Sequence, residues 1–242
     1  MRFIKLAAVL LIIAILSSCS PTYLGNIKTI VGANDEIVST PELKSMLQVI
    51  PKPKIVFRIP NTTQAVTETD RFTPYVNEIE KVFIQKGYTV RDRALLENLM
   101  RSGNADYKGI KDKIDTDLII DILALNFDNT RRANKFFNKT TQKEESFETA
   151  QTYVEYGIAT LESRVTIVDQ GQLGGVFTLR ISAFDMSVPD FHIDGFRRKM
   201  GWVGQESAGM FPVLSVPITT EEEKRLITQV LAKRLIERLS IQ

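Results

Sequence analysis

Apolar positions along this chain alternate between two periods, and the changes of period mark out strands and helices. Lys54-Ile55-Val56-Phe57-Arg58-Ile59 is β-branched and aromatic and is closed by Pro60-Asn61, which predicts a first strand. Val76, Ile79, Val82 and Phe83 then recur at helical spacing, with Thr73-Pro74 as cap and first turn and Gly87 as the stop. Tyr88-Thr89-Val90 reads as a short strand. Asp92 caps a second helix with Leu95, Leu96, Leu99 and Met100 on its apolar face, ended by Ser102-Gly103, and residues 105–114 add a helical turn or two. The run from Asp117 to Leu125 is almost continuously apolar, as suits a central strand covered on both faces.

From Tyr153 to Asp169 the period is two. Leu161, Ser163, Val165 and Ile167 face one way, and Thr160, Glu162, Arg164 and Thr166 the other. A glycine-rich turn, Gln170 to Gly175, leads into a further strand at Val176–Asp185, so these two strands form a hairpin. Thr220-Glu221-Glu222-Glu223 is a capping box that opens a terminal helix with a stripe of Leu226, Ile227, Val230, Leu231, Leu235 and Leu239. The order β-α-β-α-β-β-β-α implies an α/β fold, a mixed sheet with packed helices. Its expected core is Leu118, Ile120, Val165, Ile167, Leu179, Ile181, Leu231 and Leu235.

Three stretches break this pattern. Residues 126–152 form a polar insertion, and residues 186–217 are irregular with weak strand potential. Residues 20–51 are punctuated by Pro21, Gly25, Gly32, Pro41 and Pro51 and read as a tether, with room for a short helix at Pro41–Val49 capped by Thr40. The α/β domain is therefore expected over residues 52–242.

The N-terminus adds an address. Arg2 and Lys5 precede an apolar run from Leu6 to Leu16, followed by Leu16-Ser17-Ser18-Cys19. A basic start, a short apolar core and small residues at the cut form an export signal over residues 1–18. The apolar run is shorter than the roughly 20 residues of a transmembrane helix. Leu16-Ser17-Ser18-Cys19 is similar to a bacterial lipobox, in which the cysteine is acylated and becomes residue one. Cys19 is the single cysteine of the chain. Stable anchoring needs more than one acyl chain, which a diacyl or triacyl cysteine supplies. Ser20, where an aspartate would signal retention in the inner membrane, points to the outer membrane with the domain in the periplasm.

Composition then narrows the chemistry. The formal net charge is +2, and removal of Arg2 and Lys5 with the signal leaves 29 basic against 29 acidic side chains, so charge gives no reason to expect nucleic acid. A sole, acylated cysteine allows no disulfide, and one histidine, His192, with one cysteine allows no Cys/His metal cluster. Phosphate-binding glycine motifs are missing. Gly171, Gly174 and Gly175 precede a strand, where a phosphate cradle needs a helix, and read as turn residues. No cofactor is expected. Carboxylates are plentiful, yet no pairing of them can be read from order alone.

Three passages carry a family resemblance: Gly87 to Leu99, a strand, arginine and helix; Thr116 to Leu125, an extended core strand; and Arg164 to Gln172, a strand ending in Val168-Asp169 and a turn. With the lipobox, they resemble the curli-secretion channel (CsgG-like) and penicillin-binding-protein activator (LpoB-like) lipoproteins. The resemblance spans residues 54–185 and the last helix. In that family the turn reads Asp-x-x-Thr-Gly, and here the threonine is absent. The resemblance implies a protein that is not an enzyme and that either forms a pore or binds and regulates other envelope proteins.

Candidate contact residues lie in the insertions. Arg131, Arg132, Lys135, Phe136 and Phe137 mix cations with aromatic rings, and Trp202 sits in the second insertion; such a mixture suits a protein partner or a membrane surface. Glu144, Glu145 and Glu148 follow and blunt any long-range positive field. His192, beside the turn signal Asp194-Gly195, reads as structural. Asp115, Asp117 and Asp121 are spaced to share a strand face as metal ligands could, but Asp115 and Asp117 are more simply loop and strand-entry residues.

Three functions follow for comparison. The first is a non-catalytic interaction or accessory lipoprotein, held to a membrane through Cys19 and docking an envelope protein. The second is a subunit of an oligomeric secretion pore, with each insertion a membrane hairpin; a barrel strand needs roughly 9–11 residues of lipid-facing alternation, and Arg197-Arg198-Lys199 would place cations toward lipid. Only this second reading calls for a homo-oligomer. The third is a carboxylate-based hydrolase, for which no motif speaks. The first is the expectation.

Overall fold

The computed structural model describes residues 24–26, 35–60, 66–102, 106–138, 142–146, 153–183, 191–192 and 212–240. The chain divides into two compact units. The larger is Gly32–Arg131, Tyr156–Ser187 and Val216–Gln242; the smaller is Met1–Val31, Arg132–Glu155 and Val188–Ser215.

The larger unit is the expected α/β fold. Its strands are β2 (Glu36–Ser39), β3 (Ile55–Arg58), β4 (Val90–Arg91), β5 (Leu118–Ala133), β8 (Tyr153–Ile167) and β9 (Gln172–Ser182), and its helices are α1 (Pro41–Val49), α2 (Val66–Gln85), α3 (Arg93–Arg101), α4 (Tyr107–Ile114) and α5 (Glu221–Ser240). The sheet runs in the order β2-β9-β8-β5-β3-β4. β3 is parallel to β4 and β5, and β9 is antiparallel to β2 and β8, so the sheet is mixed. Parallel neighbours require crossovers. α2 makes one between β3 and β4, and α3 with α4 makes the next between β4 and β5.

These crossovers load the two faces unequally. Leu118, Ile120, Leu161, Val165, Phe177 and Leu179 point toward α1, α2 and α5, whose Leu43, Val76, Ile79, Phe83, Leu231 and Leu235 complete the main core. On the other face a smaller cluster joins Val56, Ile119 and Val168 to Leu96 of α3 and Ile110 and Ile114 of α4. All eight residues expected in the core are buried. Burying a large aliphatic side chain is worth about 1.5–3 kcal/mol, so the terminal helix is a principal contributor to stability. Phe57, Phe83 and Tyr88 stack edge to face, with ring centroids 5.1 and 5.2 Å apart.

Four boundaries depart from the sequence reading. The tether is shorter than residues 19–51: β2 pairs with β9, Thr40 caps α1 by accepting from the Leu43 N–H, and Leu43 and Leu47 are buried. The prolines and glycines read there as breakers are also what a tight strand-to-helix passage uses. α2 begins at Val66 and runs through Pro74, where a first-turn proline was expected. Phe72, just before it, packs on the core, and such packing offsets a missing backbone donor. The central strand continues eight residues past Leu125, to Ala133, in a polar extension where Asn129 binds the Ile218 backbone and Arg131 pairs with Asp128 at 2.9 Å. Gly174 and Gly175 lie inside β9; only Gly171, at φ +63°, belongs to the turn. A Cβ on Gly175 would come 2.7 Å from the carbonyl oxygen of Val38, so the glycine admits β2.

The smaller unit holds a separate four-stranded sheet in the order β10-β1-β6-β7, made of β1 (Leu24–Asn26), β6 (Lys135–Asn138), β7 (Lys143–Ser146) and β10 (Phe191–His192). β1 is antiparallel to β10 and β6, and β6 to β7. Both insertions therefore contain strands, the first where only polar chain was expected and the second where weak strand potential was, and β11 (Pro212–Val216) is a further one. Short polar strands give no periodic signal, which explains the difference.

Within the larger unit, the Asn129 amide binds the backbone of Ile218 on both sides, accepting from its N–H at 2.7 Å and donating to its carbonyl at 2.9 Å. The side chain thus substitutes for a strand partner, and Gly157 makes the room. A Cβ there would lie 2.5 Å from Asn129 Oδ1 and 2.6 Å from Ile218 Cγ1. Gly157→Ala is expected to destabilise the protein by about 1–3 kcal/mol through overpacking, read as a lowered urea midpoint with an unchanged slope. An unshifted midpoint would show that the amide bridge moves aside without cost.

Candidate functional site

The second face of the sheet is only half covered. α3 and α4 shield Val56, Ile119 and Val168. Further along, β2, β9, β8 and β5 present Glu36, Val38, Thr178, Arg180, Glu162, Arg164, Asp121 and Leu123, each alternating with a residue of the main core. Val38 is 70% exposed and Leu123 43%. On α3, Leu95 and Met100 are also exposed. Between α3 and α4 lies a groove of about 290 Å³ lined by Leu95, Asn98, Leu99, Ser102, Lys113 and Ile114.

At the centre of this face, Asp121 is fully buried. β3 and β5 run in a register that sets Arg58 against Asp121. The Arg58 guanidinium donates through Nε to one carboxylate oxygen and through Nη2, at 2.8 Å, to the other. Arg164, from β8, donates Nε and Nη2 to Oδ2 at 3.1 and 2.8 Å. Arg58 Nη1 meets the Met100 sulfur at 3.2 Å. The Asp121 hydrogen bond raises the Arg58 guanidinium above its ordinary value, which keeps the pair ionised. Both carboxylate oxygens are thus engaged by guanidinium donors, one bond on Oδ1 and three on Oδ2, which makes Asp121 an ion-pairing group in this face.

The other two aspartates are spent in the same way. Asp115 caps α4 in the left-handed region, at φ 56°, and binds Lys54 and Arg91. Lys54, with Arg91 beside it, holds its carboxyl below the usual range. Asp117 accepts from the Lys54 N–H at 2.8 Å and from Lys111. The three do not converge, and among the described residues no group of three His, Cys, Asp or Glu is arranged to hold a metal.

Arg93, at the start of α3, reaches Asn77 of α2 at 3.2 Å and approaches Glu80 at 4.0 Å. It links the helices of the two faces just after the short edge strand β4. Its Nη1 is buried and donates no hydrogen bond among the described residues. Burial pushes the Glu80 carboxyl up; Arg93 pulls it down by less, and Asp92 adds to the rise.

The residues expected to make contacts are dispersed. Arg131 pairs with Asp128 in the larger unit. In the smaller unit, Arg132 pairs with Glu155 at 2.9 Å and lies 4.5 Å above the Tyr153 ring. Lys135 is exposed at the start of β6, across from Ser146; Phe136 and Phe137 follow in the same strand, across from Glu145 and Glu144. Cys19 and Trp202 lie outside the described residues, and of His192 the structure gives the strand position, opposite Leu24. The Arg58–Asp121–Arg164 group was missed because the pattern reading takes strands singly. Its signal was present: an acid inside an apolar strand needs a cation from a neighbour, and Arg58 closes the preceding one.

No protein-family model matches the sequence, and no curated protein matches it. Among solved structures the chain is similar to a PDZ domain protein from Parabacteroides distasonis, with 13% identity and a TM-score of 0.31, over 82% of this chain and 38% of that one. It is also similar to a minor lipoprotein from Acinetobacter baumannii, with 10% identity and a TM-score of 0.31, over 79% of this chain and 94% of that one. This chain thus spans well under half the length of the first. At this degree of likeness, function has to be read from the residues themselves.

Two outcomes test the ionic groups. Asp121→Ala leaves two guanidinium groups without their buried counter-ion and is expected to cost about 3–5 kcal/mol in equilibrium unfolding; a loss below 1 kcal/mol would mean that water replaces the carboxylate. For Glu80, a raised native pKa means that the folded chain binds its proton more tightly than the unfolded chain. Its contribution is complete below the ordinary glutamate range and is lost as pH rises through the raised native value. Glu80→Gln should therefore flatten the fall of melting temperature between about pH 4 and 7 and match the parent at the acid end. Parallel curves for the two proteins would contradict the shift.

Proposed function

We propose that this protein is a non-catalytic accessory lipoprotein of the bacterial envelope, held by acyl chains on Cys19 in the outer membrane with its α/β unit in the periplasm, and that it docks another envelope protein. The observation that carries this reading is the half-covered sheet face, where exposed Val38 and Leu123 adjoin ion-paired arginines and the apolar Leu95 and Met100 of α3. Apolar centres ringed by arginine and other polar groups are the composition of protein interfaces. Asp115, Asp117 and Asp121 are each ion-paired with a lysine or arginine, which speaks against these three as the carboxylates of a hydrolase. Among the described residues no helix is long and apolar enough to cross a membrane, which leaves the lipid as the means of attachment in this reading. The resemblance to penicillin-binding-protein activators points in the same direction.

A secretion pore of the curli-channel type is the second reading. Its support is the length of β5 and β8, sixteen and fifteen residues, which carry chain into the first insertion. Against it, β6 and β7 are four residues each, while a barrel strand needs roughly 9–11.

The test has three parts. Cys19→Ala should abolish palmitate incorporation. The mature chain without Cys19 should run as a detergent-independent monomer by light scattering; ring-sized particles with stable conductance in planar bilayers would establish the pore instead. A photo-crosslinking residue at Val38 or Leu123 should give one discrete adduct in cells, removed by Leu123→Arg when the probe is at Val38. No adduct at either position would exclude this face as the docking surface.

A further inference from the structure

Four residues separate Cys19 from Leu24, the first residue of β1, so the leash is five residue steps long. Chain extends by at most about 3.3–3.6 Å per residue, so β1 starts within about 18 Å of the acylated cysteine. β1 is not an outlying strand. It lies inside the four-stranded sheet, with Leu24 and Gly25 opposite His192 and Phe191 of β10, and Gly25 and Asn26 opposite Asn138 and Phe137 of β6. Neighbouring strands are about 4.8 Å apart, so every strand of the sheet lies within about 10 Å of β1. An acylated cysteine sits at headgroup depth, because its chains occupy the hydrocarbon. The leash is therefore too short to hold this sheet far from the bilayer.

We infer that the sheet β10-β1-β6-β7 rests on the headgroup layer of the same membrane that takes the acyl chains of Cys19, and that β6, β7 and β10 are brought to that surface by β1; this rests on the lipoprotein reading. The surface this sheet meets is phospholipid. Charge does not provide the attraction, since Lys135 and Lys143 on β6 and β7 are matched by Glu144 and Glu145. The leash does, and the composition suits the location: the two insertions hold Phe136, Phe137, Phe191, Phe196 and Trp202, the last the single tryptophan of the chain. Aromatic rings are favoured at headgroup depth.

Acylation leaves no free thiol in the natural chain, so one introduced cysteine can be labelled alone. Full-length acylated Lys143→Cys, carrying an environment-sensitive dye, is reconstituted on phosphatidylethanolamine–phosphatidylglycerol vesicles, with Ser146→Cys as a second position. The two positions lie on opposite faces of β7, so spin-labelled headgroups should remove most of the emission at one of them, and high salt should not restore it. Dye unquenched at both positions, on protein that floats with the vesicles and whose acyl group is seen by mass spectrometry, would overturn the placement and leave the lipoprotein reading intact. Protein without an acyl group would overturn both. Emission restored by salt would replace the short leash with electrostatic adsorption.

Discussion

A carboxylate removed from water has to be met by cations, and this condition organises the centre of the larger unit. Asp121 is fully buried on β5, and β3 and β8 each supply it an arginine. The backbone ladder alone tolerates a slip of two residues, because each side chain then keeps its face. The ionic group does not: a slip in β3 or β8 would leave Asp121 with one arginine, at the cost of an unpaired buried charge. Three neighbouring strands are thereby fixed in register at one point. The hydrophobic core on the opposite face can then pack Phe57, Ile120 and Leu161 without ambiguity.

The asymmetry of the sheet follows from the lengths of its crossovers. α2 and α5 are twenty residues each and, with α1, cover one face. α3 and α4, nine and eight residues, cover only part of the other. The uncovered part needs side chains that tolerate water, and the alternation in β8 and β9 supplies them: Glu162, Arg164, Thr178 and Arg180 are half-buried, while their neighbours Leu161, Val165, Phe177 and Leu179 are in the core. A surface that is dry behind and charged in front is rigid, and rigidity limits the ordering cost of association.

How much of this was legible depended on whether burial left a period in the sequence. The core strands and the terminal helix did, because Val165 and Ile167, or Leu231 and Leu235, repeat at the spacing their element requires. Thr40, Asp92 and the Thr220–Glu223 box were legible for a local reason, since a cap needs no distant partner. Contacts between distant segments were not. Asp121 has its arginines 63 and 43 positions away. β2 became a strand only by pairing with β9, and four residues with Val38 facing out carry no amphipathic signature. The strands of the insertions are short and polar, and β1 sits among prolines and glycines that read as a flexible linker.

Asp35 is buried and binds both Arg234 and Arg238 of the last helix, the first at 2.8 Å and the second at 2.8–2.9 Å. The entry to the larger unit is thus fastened to its final turns, and the ends of its chain lie side by side. A fold with adjoining ends is in effect a closed ring with one opening, and the position of the opening is arbitrary so far as packing is concerned. The unit is therefore a natural scaffold for circular permutation, with a short bridge across the present ends and new termini in an exposed turn such as that at Gly171. It also means that a C-terminal fusion emerges beside the Asp35 entry of this unit, so an affinity tag is better carried in a loop.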